Sequence, residues 1–287
     1  MTEEVSARYA RHSPLSDPGP YAARLGTLPE AMDALHRAVN GVFIHVWKVR
    51  KFSPETLERR PHAVFVRSVR GLLAHALALK PAPLDHERPE NERAVIDCRS
   101  FAFLLCAVLR ERGVPARVRC GFAGYLEPTH LQDHWVCEFW NGLRWVTEDP
   151  DVIRHDLSAD DFVTGARAWA KVRAGERAAD SFGYAPAASS RGLFAVRLNL
   201  LHDIAALCGA ECVSGDVWGF AATGKPEFPA DDLAVMDEAA RLAAADAALP
   251  ELWRFYEDEV GLRMPDTVQH YDYVNRGQRL VRWRDVP

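Results

Sequence analysis

Phe101, Leu104, Leu105, Val108 and Leu109 recur at i, i+3, i+4, i+7 and i+8, a single apolar stripe. Arg110, Glu111 and Arg112 follow, and Gly113 suits a left-handed cap. The spacing therefore predicts a helix over 98–112, with Asp97 as its N-cap. Beyond Gly113-Val114-Pro115 the period drops to two. Ala116, Val118, Cys120 and Phe122 alternate with Arg117 and Arg119, which predicts a strand with a solvated arginine face. HWVCEFW, Asn141-Gly142 and LRWVTED then read as two strands joined by a tight hairpin. Residues 98–149 thus hold one helix and three strands.

The flanks have helical spacing instead. PEAMDALHRAVNGVFIHVW (29–47), PETLERRPHAVFVRSVRGLLAHALAL (54–79) and LSADDFVTGARAWAKVRAG (157–175) read as helical. So do LFAVRLNLLHDIAALCG (193–209) and DDLAVMDEAARLAAADAALPELWRFYEDE (231–259). Pro- and Gly-containing stretches at 1–30, 81–93 and 176–192 separate these segments. The expected organisation is a helical extension over 1–94, a core over 95–152 and a second helical extension over 153–287, all within one compact domain.

Composition narrows the function classes. Hydrophobic residues make up 48% of the 287-residue chain, charged residues 26%, and the net charge is −5, the balance of an ordinary soluble protein. That charge gives nucleic acid no electrostatic reason to bind, and no apolar run has the length of a membrane span. The N-terminus lacks the basic and apolar regions of a secretory signal. Six cysteines without a dense framework fit free thiols in a reducing cytoplasm.

Cys98 opens the predicted helix, where unpaired N–H groups and the helix dipole favour a thiolate. The bland alternative is an inert packing residue, the habit of most cysteines and the reading given to Cys106 and Cys120. The hairpin supplies possible partners. With Asn141 and Gly142 as the two loop residues, Trp140 pairs with Leu143, Glu138 with Trp145 and His134 with Asp149. A carboxylate then sits beside an imidazole, and with a nearby thiol the three make a nucleophile, a base and an orienting acid. Glu138 falls on the same predicted face as His134, as a possible supporting partner.

These residues together resemble the transglutaminase-like superfamily, whose core is papain-like. The resemblance rests on Cys98 at a helix start, Gly113-Val114-Pro115-Ala116-Arg117 leading into a strand, His134-Trp135 opening the next, and Trp145-x-x-x-Asp149. The stretch FVTGARAWAKVRAG…SFG…RGLFAVRLNLLHDIAAL…WGF extends a weaker likeness to bacterial transglutaminase-domain proteins. One departure is Asp97-Cys98-Arg99-Ser100, where related bacterial sequences often read Asn-Cys-Arg-Asp. An anion before Cys98 opposes thiolate formation unless it caps the helix.

The resemblance implies an α+β papain-like fold, with the nucleophile helix packed on an antiparallel sheet and helical extensions at both ends. It implies acyl transfer through a thioester, hydrolysing or forming an amide, with Cys98 as nucleophile, His134 as base and Asp149 as orienting acid. The substrate would be a small-molecule or peptide amide, with water or an amine as acceptor and no metal or organic cofactor. Two competing readings stand beside it. One is a zinc site from His130, His134 and Cys137, with Cys120; strand alternation opposes it by turning Cys137 away from His134. The other is a catalytically retired fold acting as a binding or assembly module.

Overall fold

The computed structural model describes residues 1–52, 62–184, 190–222, 229–274 and 277–283. Its longer helices are α1 (Met32–Val42), α2 (Val69–Leu79), α3 (Cys98–Glu111), α4 (Gly165–Arg173), α5 (Leu193–Leu207), α6 (Ala230–Ala243) and α7 (Leu249–Asp258). The strands are β1 (Phe43–His45), β2 (Ala94–Ile96), β3 (Ala116–Ala123), β4 (Leu131–Trp140) and β5 (Trp145–Glu148). They continue with β6 (Phe162–Thr164), β7 (Phe182–Gly183), β8 (Asp216–Val217), β9 (Thr267–Asp272) and β10 (Gly277–Arg282). The largest sheet has the order β5-β4-β3-β6, with β7 also pairing with β4. Its β3–β6 and β4–β5 pairings are antiparallel, as expected of an α+β fold, whereas β4–β7 is parallel.

Two compact units emerge. One draws mainly on Ala7–Arg117 and Val136–Asp156 and contains Cys98. The other draws on Met1–Ser6, Val118–Trp135 and Leu157–Arg284 and contains His134. The chain passes from one to the other inside β3 and again inside β4.

In the Cys98 unit, α3 begins and ends where its caps dictate. Asp97 accepts a hydrogen bond from the Ser100 amide at 3.0 Å, satisfying one of the helix's open donors. At the other end Gly113 takes φ +71°, and the Val114 amide donates to the Leu109 carbonyl. Every α3 residue from Arg99 to Arg110 is buried. Buried Arg110 is matched by the Ala116 carbonyl at 3.0 Å and the Ser16 hydroxyl at 2.9 Å.

Two helix expectations change here. The helix predicted over 29–47 stops at Val42, and Phe43–His45 becomes β1, parallel to β2 with His45 opposite Ile96. Phe-Ile-His fits a strand pattern once a partner strand is available, and local periodicity cannot see that partner. In the helix predicted over 54–79, residues 54–61 lie outside the described residues. Residues 62–68 are not helical, and Ser68 caps α2 by accepting from the Gly71 amide at 3.0 Å.

The β4–β5 register is also corrected. Trp140 pairs with Trp145 and Glu138 with Thr147, so the loop has four residues, not two. The cause is the Asn141 side chain, whose Oδ1 accepts from the Leu143 and Arg144 amides at 3.0 and 2.9 Å. The amide of Asn141 closes the loop on the Arg144 carbonyl, and Gly142 takes φ +97°. Asn141 thus starts an Asx turn and does not occupy a two-residue turn. The pairing slides by two residues, which keeps each residue on its face while changing its opposite number.

The arginine face of β3 is buried rather than solvated. Arg117 donates to Glu138 at 2.7 Å and lies over the Trp145 ring, 4.0 Å from its centroid. In the His134 unit, Arg119 grips Asp203 of α5 through Nε at 2.7 Å and Nη2 at 2.9 Å. Asp203 also accepts from the Cys120 amide at 3.3 Å, so α5 is tied to β3 by charge and backbone together.

Helix α5 organises the rest of the His134 unit. Gly165 lets α4 approach it closely: a Cβ there would meet the Asn199 carbonyl oxygen at 2.2 Å. Asn199 in turn donates to the Gly121 carbonyl at 2.9 Å and to Asp133 at 3.2 Å. His202 packs against Trp135 and Trp218 and donates from Nε2 to the Asp216 carbonyl at 2.8 Å. Asp216 begins β8 and accepts from His270 of β9 at 3.0 Å.

Two outcomes follow from these buried groups. Asp203→Ala leaves the Arg119 charge unmatched and should cost about 3–5 kcal/mol in denaturant unfolding, while Arg119→Met with Asp203→Leu should restore most of it. Burial lowers the pKa of His202 from its ordinary value, with the Asp216 carbonyl opposing only in part. The unfolded chain therefore binds this proton first as pH falls, so stability is retained above about pH 6.5 and lost below it. Urea midpoints across that range should fall less steeply in His202→Gln than in the wild type.

Candidate active site

Cys98 is the first residue of α3 and is half-buried, whereas every α3 residue from Arg99 to Arg110 is buried. Of the six free thiols, Cys106, Cys120, Cys137 and Cys212 are buried. Burial pushes the Cys137 thiol well above its ordinary range, helped by its contact with Cys106. Cys208 is the other half-buried thiol, but it is the C-cap residue of α5. A helix N-terminus stabilises a thiolate and a C-terminus opposes it, so the two accessible thiols occupy opposite electrostatic settings. Asp97 directs its carboxylate to the Ser100 amide, the capping geometry that limits its opposition to a thiolate.

His134 lies on β4, 3% exposed, with the Tyr125 ring edge-on at 6.3 Å between centroids. Asp149 follows β5 directly and is fully buried. Its Oδ1 accepts from the Asp151 and Val152 amides at 3.0 and 3.4 Å. Its backbone exchanges two hydrogen bonds with Arg154, closing a loop in which Ile153 takes φ 55°, a costly conformation for a β-branched residue. Cys98 and Asp149 belong to one unit and His134 to the other. The observed β4–β5 register does not make Asp149 the direct opposite of His134, because each pairing is displaced by two residues from the two-residue-turn expectation.

The zinc reading is not supported. Among the described residues, the group that could hold a metal ion is His36, Glu148 and His155, not His130, His134 and Cys137 with Cys120. His130 is engaged by Gln132 at 2.9 Å and Arg191 at 3.2 Å. Glu138, read as a possible partner of His134, is the ion-pair partner of Arg117.

Sequence reasoning missed the polar cluster around Asp149. His36 of α1 is fully buried, and Glu148 and His155 flank the Asp149 loop. Burial, reinforced by nearby His155, lowers the His36 pKa to about 4, and burial raises that of Glu148. His45 of β1 sits 3.6 Å from Asp151 and accepts from the Trp47 amide at 3.1 Å. No local signal marks His36 or His45, since each meets its carboxylate only after more than a hundred intervening residues are folded back.

Residues 90–150 match the model of the transglutaminase-like superfamily. No curated protein matches the chain. A solved structure of a candidate cysteine protease from Cytophaga hutchinsonii overlays 57% of this chain and 46% of its own, at 14% identity and a TM-score of 0.36. The chain therefore spans less than half of that protein, and so partial an overlay bears on neither fold nor chemistry. The matched segment contains Cys98, His134 and Asp149 in that order, and it is over residues 90–150 that the chain is similar to the transglutaminase-like superfamily.

Proposed function

We propose that the chain is a cysteine-dependent enzyme transferring an acyl group through a thioester on Cys98, with His134 as base and Asp149 as its orienting acid. The observation that carries this reading is the placement of Cys98: a solvent-reached thiol at the capped N-terminus of an otherwise buried helix. In the proposed reaction His134 takes the Cys98 proton while sulfur bonds to an amide carbonyl carbon. The tetrahedral oxyanion is met by the Cys98 amide at the helix start. Collapse breaks the C–N bond, and His134 returns the proton to the departing amine. Water or a second amine then attacks the thioester, giving hydrolysis or a new amide, and sulfur leaves as the thiol. Asp149 would hold His134 through Oδ2, since Oδ1 already serves two backbone amides. The substrate class is a peptide or small-molecule amide, and no residue in this scheme calls for a cofactor.

The test is site-resolved alkylation by iodoacetamide against pH, read by mass spectrometry. Cys98 should react about tenfold faster than Cys208 near neutral pH, and His134→Ala should remove the advantage. Equal rates at Cys98 and Cys208 in a folded protein would sink the mechanism and favour a binding module. The cap gives a second readout. Asp97→Ala should cost about 1 kcal/mol in urea unfolding, whereas Asp97→Asn should keep the cap and accelerate Cys98 alkylation by removing the adjacent anion.

A further inference from the structure

A second group of chemically capable side chains lies within the Cys98 unit, and the proposed acyl transfer does not use it. His36 comes from α1, Glu148 from the last position of β5, and His155 from the loop that follows. One ligand atom from each lies within 4.8 Å of the other two. Both imidazoles converge on a single carboxylate oxygen: Glu148 Oε2 is 2.6 Å from His155 Nδ1 and 3.5 Å from His36 Nε2. The two rings stack at 4.8 Å between centroids with an interplanar angle of 17°.

His36 provides an independent observation that points to a ligand. Its ring is fully buried, yet neither nitrogen has a hydrogen-bond partner among the described residues. A buried imidazole with both nitrogens unmatched is costly, and folded proteins rarely keep one without a use for it. Its Nε2 is aimed at the Glu148 oxygen but lacks the geometry of a hydrogen bond. A cation between the three side chains would take up that lone pair.

We propose that His36, Glu148 and His155 form a binding site for one divalent transition cation of the zinc type. Two imidazoles and a carboxylate, with water as the fourth ligand, make the tetrahedral set that zinc accepts. The same donors disfavour magnesium and calcium, which call for oxygen alone. The supporting groups are also in place. Asp33, one turn before His36 on α1, lies 3.6 Å from His155 Nε2, where it can hold the His155 proton and leave Nδ1 for the metal. Glu148 Oε1 accepts from the Asp156 amide at 3.3 Å, which leaves Oε2 to face the imidazoles. His155 is exposed while the other two ligands are buried, so a hydrated ion has a route in. Binding forms three metal–ligand bonds and displaces water from the ion. With Nδ1 bound to the metal, a neutral His155 carries its proton on Nε2 facing Asp33, any proton between Nδ1 and Glu148 is released to solvent, and no oxidation or reduction occurs. The bound ion would pin α1, the end of β5 and the Asp149 loop to one another within the unit, whether or not Cys98 is a nucleophile.

The experiment is titration of the chelator-stripped full chain with Zn²⁺ in competition with a chromogenic chelator, beside Co²⁺ spectra. The wild type should bind one ion per chain, melt at a higher temperature when loaded, and show Co²⁺ d–d bands without a thiolate charge-transfer band. His155→Ala removes an exposed side chain and should fold normally, yet weaken binding about a hundredfold. Glu148→Gln should also weaken it, while Cys98→Ser and Cys208→Ser should bind as the wild type does. Binding unchanged in His155→Ala, a thiolate band in the Co²⁺ form, or no more binding of Zn²⁺ than of Mg²⁺ would each overturn the site.

Discussion

Every residue of β3 is buried, and two of the eight are arginines. A guanidinium taken out of water is tolerated only when its charge and its donors are matched, and this requirement shapes the strand's surroundings. Arg117 is answered by Glu138 on β4 and by the faces of Tyr9 and Trp145. Arg119 is answered by Asp203 on α5, in a two-pronged pair that the Cys120 amide completes. Each pair fixes a neighbouring element against β3 with a directional contact where apolar packing alone would allow sliding. Asn199, one turn before Asp203 on α5, repeats the attachment through the Gly121 carbonyl. The mutual position of β3, β4 and α5 within their units rests on these matched polar contacts as much as on hydrophobic burial.

Against that frame, reactivity is distributed by position on helices. Cys98 and Cys208 are both half-buried, yet one starts a helix and the other caps the end of one. The dipole therefore separates two thiols that composition treats alike. The buried cysteines are set apart by desolvation, which holds Cys137 in its thiol form. Asp97 performs the capping role that its position before the helix allows.

The loop after β5 concentrates polar groups to an unusual degree. Asp149 to Arg154 close on themselves through paired backbone hydrogen bonds, at the expense of a left-handed Ile153. That closure presents Glu148 and His155 on its two flanks and leaves Asp149 and Asp151 buried between them. His36 and His45, from α1 and β1, come to the same region and meet these carboxylates. Strain of this kind persists only where the surroundings over-determine it, and here they do so with three acidic groups and three histidines.

The sequence by itself determined α3, its N-cap and its C-terminal glycine, because caps and apolar stripes act over a few residues. It also determined the order of one helix and three strands, and the placement of Cys98 at a helix start, where the local pattern is the cause. It could not determine the hairpin register: Asn-Gly favours a tight turn, but the Asn141 side chain instead accepts two amides and lengthens the loop. Nor could it show that Arg117 and Arg119 are buried, since alternation reads the same whether a face meets water or a carboxylate brought from Asp203 in a distant helix. Strand β1 was hidden for a similar reason, because its pairing with Ala94–Ile96 lies outside any local window. The gathering of His36, Glu148 and His155 was decided by tertiary structure alone: residues far apart in the chain acquire a shared chemistry only when folding closes the distance between them.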